Sequence, residues 1–205
     1  MNSEYFSYVL KRDYGFAPNP FNGICTLATC KPQIRIKAQV DDWIIGTSST
    51  ANKKVSRIIF IMKVNEKISF NEYWEDLRFQ IKKPVKNGSL KKMYGDNIYH
   101  HDGKQWCQLP SHHSLPDGQP NLINLERDIS GKFVLISEEF YYFGKKAVDI
   151  PKEFIKNVTK KGPGYRKIEF EWGQKLYNFI SNNYNKGYQD DPQLFTHFEV
   201  YDGKS

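Results

Sequence analysis

The chain has 205 residues, enough for one well-buried domain and short for two. Hydrophobic residues make up 39% and aromatics 15%, which excludes a disordered polypeptide and predicts an aromatic-rich core and cleft. The net charge of +7 favours polyanionic partners through long-range attraction.

At the N-terminus no basic start precedes a long apolar run, so no signal peptide is expected. No apolar stretch approaches bilayer length, and the expectation is a soluble, cytoplasmic protein. Tyr5 to Leu10 reads as a first strand and GFAPNPFNG, Gly15 to Gly23, as a structured loop. Cys25 and Cys30 form a C-x4-C pair with no second pair, which argues against structural zinc. With Cys107 they make an odd count, fitting reduced, buried thiols. Gln33 to Val40 follows Pro32 and predicts a short helix. Trp43 to Gly46 predicts a strand, and Val55 to Val64 (VSRIIFIMKV) a central one buried on both faces. Ser69 and Glu72 have capping-box spacing, opening a helix through Leu77.

From Phe79 to Arg127 periodicity is nearly absent, and the segment reads as a long polar loop insertion of functional character. Phe133 to Ser137 and Phe140 to Phe143 return to strand character. Asp149-Ile-Pro151 caps a short helix, and Phe170 to Tyr184 forms a terminal helix. The expected whole is a single α+β domain over 1–205, with a core over about 5–184 and a loosely held tail over 187–205. Its sheet is expected to be curved and mostly antiparallel, or a small open barrel.

Four of the five histidines fall in the aperiodic segment, as His100-His101 and His112-His113, among Asp96, Asn97, Asp102, Asp117, Asn121 and Asn124. Imidazole titrates near neutral pH and carboxylates orient it, so His100, His112 and His113 are candidate acid–base groups with Asp96 or Asp117. In strand-like backbone only one histidine of each pair would face a shared pocket. These polar groups are expected to fold back around one wet, positively rimmed hollow. Alternatively they pin a long loop by hydrogen bonds to backbone.

A second constellation comprises Asn19, Asn22, Thr26, Thr29, Lys31 and Arg35, followed by Trp43, Ser48 and Ser49. Lys31 and Arg35 suit phosphate, whereas Asn19, Asn22, Ser48, Ser49, Asn97 and Asn121 suit a base or phosphate and Tyr99 can stack. The basic stretches Lys82 to Lys92 and Lys156 to Lys167 read as surface loops able to follow a phosphate backbone. No P-loop, dinucleotide fingerprint, nucleophile elbow or zinc-deaminase signature occurs, and the sequence assigns no metal or cofactor.

The strings FAPNPFNGICTLATCKPQIR, NGSLKKMYGDNIYH, SHHSLPDGQPN and VLISEEFYYFG together resemble the nucleotide modification associated domain of the second type, over about Tyr5 to Gly144. That family is named for its occurrence beside enzymes that modify DNA bases, largely in bacteria and phages. More remotely, DDWIIGTSS followed by RIIFIMKV is similar to PUA-like domains of the EVE and YTH type, with Asp41-Asp42 where Gly-Asp is expected. The resemblance implies a module that recognises a modified base or nucleotide, free or in DNA. The alternative is an enzyme acting on a base, nucleotide or glycosidic bond through the histidines and carboxylates of the central loop.

Overall fold

The computed structural model describes residues 3–48 and 56–203. Its strands and helices run in the order β1 (Tyr5–Leu10), β2 (Cys25–Leu27), α1 (Pro32–Lys37), β3 (Trp43–Ser48), β4 (Arg57–Lys63), β5 (Glu66–Ser69), α2 (Phe70–Glu75) and α3 (Leu90–Met93). There follow β6 (Tyr99–His101), β7 (Trp106–Gln108), α4 (Leu122–Ile129), β8 (Phe133–Ser137), β9 (Phe140–Tyr142), β10 (Val148–Asp149), α5 (Lys152–Val158), β11 (Tyr165–Ile168), α6 (Phe170–Asn183) and β12 (Gly187–Tyr188).

The main sheet has the order β11-β1-β3-β4-β9-β12, with β10 also on β4. Pairings β1–β3 and β9–β12 are parallel, and the others are antiparallel. Both faces are buried, so its strands read as nearly continuous apolar runs. Along β1, Tyr5 points into the layer formed by α5 and α6, and Ser7 donates to the Val158 carbonyl there at 2.6 Å. Phe6, Tyr8 and Leu10 point the other way, towards Cys25 and Leu27 of β2 and Leu135 of β8. Those strands belong to the second sheet, β2-β8-β5. Beyond it, Phe70, Tyr73, Phe79, Tyr94, Ile98 and Tyr99 build a third apolar cluster.

One topological feature sets up the site. Parallel β1 and β3 need a long crossover, and here it passes through β2 and α1. Cys30 and Lys31 sit in that crossover, in the turn between β2 and α1.

The α+β class and mostly antiparallel sheet agree with expectation, but the described strands form no closed barrel. The capping box at Ser69 is present, with both reciprocal hydrogen bonds, although α2 ends at Glu75. The stretch read as a long loop is interrupted by short regular elements. It contains a 3-10 helix at Leu77–Lys82, α3, the β6–β7 hairpin and α4. These elements are short and held by tertiary contacts, which periodicity in sequence does not register. Asp149 does not cap α5: it lies in β10, where its carboxylate pairs with Arg57 at 2.7 Å, and Pro151 is the N-cap. The described C-terminal residues, expected as a loosely held tail, make contacts with the rest of the fold. β12 pairs with β9, the Leu194 N–H donates to the Asp13 carbonyl at 2.8 Å, and Phe195 and Phe198 pack on the third cluster. Burying those rings offsets the ordering entropy that a polar tail would not recover.

Gly173 of α6 lies against the Tyr5 ring, where an added methyl would stand 2.2 Å from a ring carbon. Helix propensity alone makes Gly→Ala stabilising by about 1 kcal/mol, but overpacking typically costs about 1–3 kcal/mol. Gly173→Ala is therefore expected to lower the thermal unfolding midpoint, as measured by differential scanning calorimetry. A raised midpoint would show that α6 shifts freely on the sheet.

Candidate active site

Thr29 is buried and Cys30 half-buried, and Cys30 and Lys31 both adopt positive φ, 57° and 42°. Two consecutive non-glycine residues in this region store strain, which persists only where the surroundings impose it. Here they do. The Cys30 N–H donates to Asp128 Oδ1 at 2.8 Å, and the Cys30 carbonyl accepts from Arg35 Nε at 2.8 Å.

Arg35 is a strut. It is wholly buried, and its guanidinium also donates to the carbonyls of Phe133, at 2.7 Å, and Asp128. Gly131 makes room for it, since a Cβ there would fall 2.4 Å from the guanidinium carbon. The expectation that Arg35 meets phosphate is thus corrected: all of its nitrogens serve backbone carbonyls that frame the site.

Asp128, on α4, is completely buried and forms the hub. Its Oδ2 accepts from the Tyr99 hydroxyl at 3.0 Å and lies 2.6 Å from His113 Nδ1. On the other side of the ring, His113 Nε2 lies 3.8 Å from Cys30 Sγ. Burial disfavours the imidazolium, but the Asp128 charge, Cys30 and hydrogen bonds to both outweigh it and raise His113 to about 9. Burial likewise disfavours the Asp128 carboxylate, and His113, Arg35 and Arg127 reverse that, holding it below its usual range. The result is a Cys30–His113–Asp128 relay, in which the carboxylate orients the ring and its other nitrogen faces the thiol.

The thiol end opens on a cavity of about 430 Å³ lined by Lys11, Arg12, Tyr14, Phe16, Lys31, His112, Arg127, Tyr165 and Tyr201, among others. Lys11, Arg12, Lys31 and Arg127 are its lysine and arginine lining, and no carboxylate of the described residues lines it. Tyr201 lies between the Arg12 and Arg127 guanidinium groups, each 5.5 Å from its ring centre. Gly164 and Tyr165, from the basic stretch Lys156 to Lys167, complete one wall.

His112 and His113 both line this cavity, contrary to the strand-based expectation that one of a pair would point away. They lie in a turn, not a strand, and their rings stand 5.4 Å apart at 28°. His112 packs on Tyr14, Phe16 and Tyr94, and its Nδ1 lies 2.6 Å from the Glu199 carbonyl.

The other predicted residues divide. Lys31 lines the cavity, and Tyr99 reaches it through Asp128 rather than by stacking on a base. Asn121 caps α4 and so holds Asp128 in place. Asp96, Asn97 and Asn19 form a separate buried cluster. Asp96 accepts from Thr26 and Tyr73, Asn97 donates to the Tyr73 and Phe79 carbonyls, and Asn19 accepts from Lys82. Lys82 itself is buried and bound to the Asn19 and Ile24 carbonyls, so this end of Lys82 to Lys92 cannot follow a phosphate backbone. His100 stacks on Trp74, 3.9 Å between ring centres. Ser48 accepts from the Arg57 N–H at the end of β3, Asn22 and Asp117 are exposed turn residues, and Ser49 lies outside the described residues. The single hollow expected around Asp96, Asn97, His100, His112 and Asp117 is therefore not formed.

Missed from sequence were Cys30, Asp128, Arg12, Arg127 and Tyr201. A thiol with histidine and carboxylate far along the chain is a known nucleophile signal. In the sequence Cys30 reads only as one of three reduced, buried thiols. The Cys30, His113 and Asp128 donor atoms all lie within 4.8 Å of one another, close enough to consider a metal ion. Yet 2.6 Å between Nδ1 and Oδ2 is a hydrogen-bond separation, whereas two ligands about 2.0–2.2 Å from a tetrahedral zinc stand more than 3 Å apart. The geometry fits proton transfer better than chelation.

A model of the nucleotide modification associated domain 2 matches residues 2–199. The chain belongs to that family. No curated protein and no solved structure matches it. Association with nucleotide modification follows from the family, and the Cys30 relay lies within the matched span. No helix among the described residues is long and apolar enough to cross a membrane.

The His113–Asp128 pair has a signature in stability. Because His113 is raised from 6.5 to about 9, its contribution is complete below about 6.5 and lost as pH rises through about 9. His112, lowered to about 3 by burial and by His113, titrates below that window, and Lys82, lowered to about 8 by burial, acts oppositely above it. Between pH 6.5 and 8 the unfolding midpoint should fall in the native protein and flatten in His113→Gln, as followed by circular dichroism. Parallel slopes in the two proteins would deny the pair.

Proposed function

We propose that this protein is a thiol enzyme of nucleotide modification, in which Cys30 bonds to an electrophilic carbon of a nucleotide held in the cationic cavity. The observation that carries this reading is the Cys30–His113–Asp128 relay opening on that cavity. At neutral pH His113 already carries its proton beside the Cys30 sulfur, so the sulfur bonds to carbon as a thiolate paired with the imidazolium, and Nε2–H then gives its proton to the adduct or to the leaving group. Asp128 holds the ring and stabilises the imidazolium, and Arg35 holds the strained Cys30 turn. Arg12, Lys31 and Arg127 supply fixed positive charge for phosphate and for the charge that develops on the substrate. Such chemistry needs a free thiol, in keeping with a reducing cytoplasmic setting.

A second reading, recognition of a modified base or of modified DNA without turnover, draws support from the aromatic walls Tyr14, Phe16, Tyr165 and Tyr201. The Gly164–Tyr165 wall continues into Lys160 and Lys161, which would hold the flanking phosphates of a strand.

Limiting iodoacetamide followed by peptide mass mapping separates the two. In the enzyme reading Cys30 is alkylated faster than the half-buried Cys107 at pH 7, and His113→Ala slows it at least tenfold while leaving Cys107 unchanged. Equal rates at Cys30 and Cys107 would remove the nucleophile and leave recognition alone.

A further inference from the structure

His112 is not needed for the relay, yet it lines the same cavity beside His113. Its Nδ1 lies 2.6 Å from the Glu199 main-chain carbonyl, which can only accept a hydrogen bond. Nδ1 therefore carries the proton, and in the neutral ring Nε2 carries a lone pair. Burial, reinforced by the neighbouring His113, keeps the ring neutral by pushing it down to about 3. The Tyr201 N–H donates to the His112 carbonyl at 2.7 Å, and the ring is wedged among Tyr14, Phe16 and Tyr94, so it cannot readily turn over and exchange its two nitrogens. His112, one of the residues lining the cavity, is thus a fixed acceptor, and the Lys11, Arg12, Lys31 and Arg127 side chains that line the cavity with it are all donors.

A nucleobase edge that suits this lining presents an N–H beside a carbonyl oxygen. Thymine, uracil and guanine have such a lactam edge. Cytosine and adenine present a ring-nitrogen lone pair beside an amino group, the inverse pattern. Held in the register that a lactam base would take, that inverse edge sets lone pair against lone pair and donor against donor at His112 and the cations. Resting on the proposal that the cavity holds a nucleotide, we infer that His112 selects lactam bases, accepting their ring N–H at Nε2, and rejects cytosine and adenine.

The test uses the full chain carrying Cys30→Ala, which prevents turnover, titrated calorimetrically with dTMP, dCMP, dGMP, dAMP and N3-methyl-dTMP. dTMP should bind at least tenfold tighter than dCMP, and dGMP at least tenfold tighter than dAMP. N3-methylation should abolish the dTMP advantage without any change to the protein. His112→Phe, which keeps an aromatic ring and loses the acceptor, should bring dTMP and dCMP to similar affinities. Equal or tighter binding of dCMP and dAMP, or an advantage that survives N3-methylation, overturns the inference and leaves the nucleotide cavity standing. If none of the five binds, both fall together.

Discussion

An ionised carboxylate removed from water is among the most expensive groups a fold can bury, and Asp128 has no exposed surface at all. It is tolerated because three donors from different parts of the chain meet it: the Cys30 N–H, the Tyr99 hydroxyl and His113 Nδ1. Each reaches the carboxylate only if its own segment is in place. The β2–α1 turn, the β6–β7 hairpin and the turn at 111–114 are thereby tied to α4. Removing any one partner would leave buried charge uncompensated, so the site and the local fold stand or fall together.

The same requirement accounts for features that otherwise look unrelated. Arg35 is spent on carbonyls rather than on a ligand, because the turn at Cys30 and Lys31 must be held in a left-handed conformation. Asn124 donates to the carbonyls of His113 and Tyr201, stitching the histidine turn and the C-terminal segment to α4. Glu199 and Tyr201 fix His112 from that segment, and the Tyr201 ring lies between two cavity cations. A thiol, an oriented imidazole and a fixed acceptor thus share one rigid frame, the arrangement that preorganised catalysis and base selection both require.

Two buried polar clusters show why candidate site residues are hard to rank from sequence. Asp96, Asn97, Asn19 and Lys82 have residue types suited to catalysis, but they satisfy one another and the backbone away from the cavity. His113, Asp128 and Cys30 have the same kinds of groups with an opening beside them. The histidine-rich segment brings His112 and His113 to the cavity but not Asp96, His100 and Asp117, because proximity along the chain says nothing about which side of a layer a side chain faces. Cys30 was passed over because a thiol's role depends on its neighbours, and these lie 83 and 98 residues away.

The sequence by itself determined the α+β class, the strands β1, β3 and β4 with β4 buried on both faces, the capping box at Ser69 and the family. Each of these rests on local pattern: apolar runs, i to i+3 capping spacing, or strings of unusual composition. Only the tertiary structure decided that the β1–β3 crossover brings Cys30 against His113 and Asp128, that Arg35 and Lys82 face inward, and that the tail closes over His112. Those outcomes come from contacts far apart in the chain, chosen by the need to pair buried charge and bury aromatic rings, and no local periodicity encodes them.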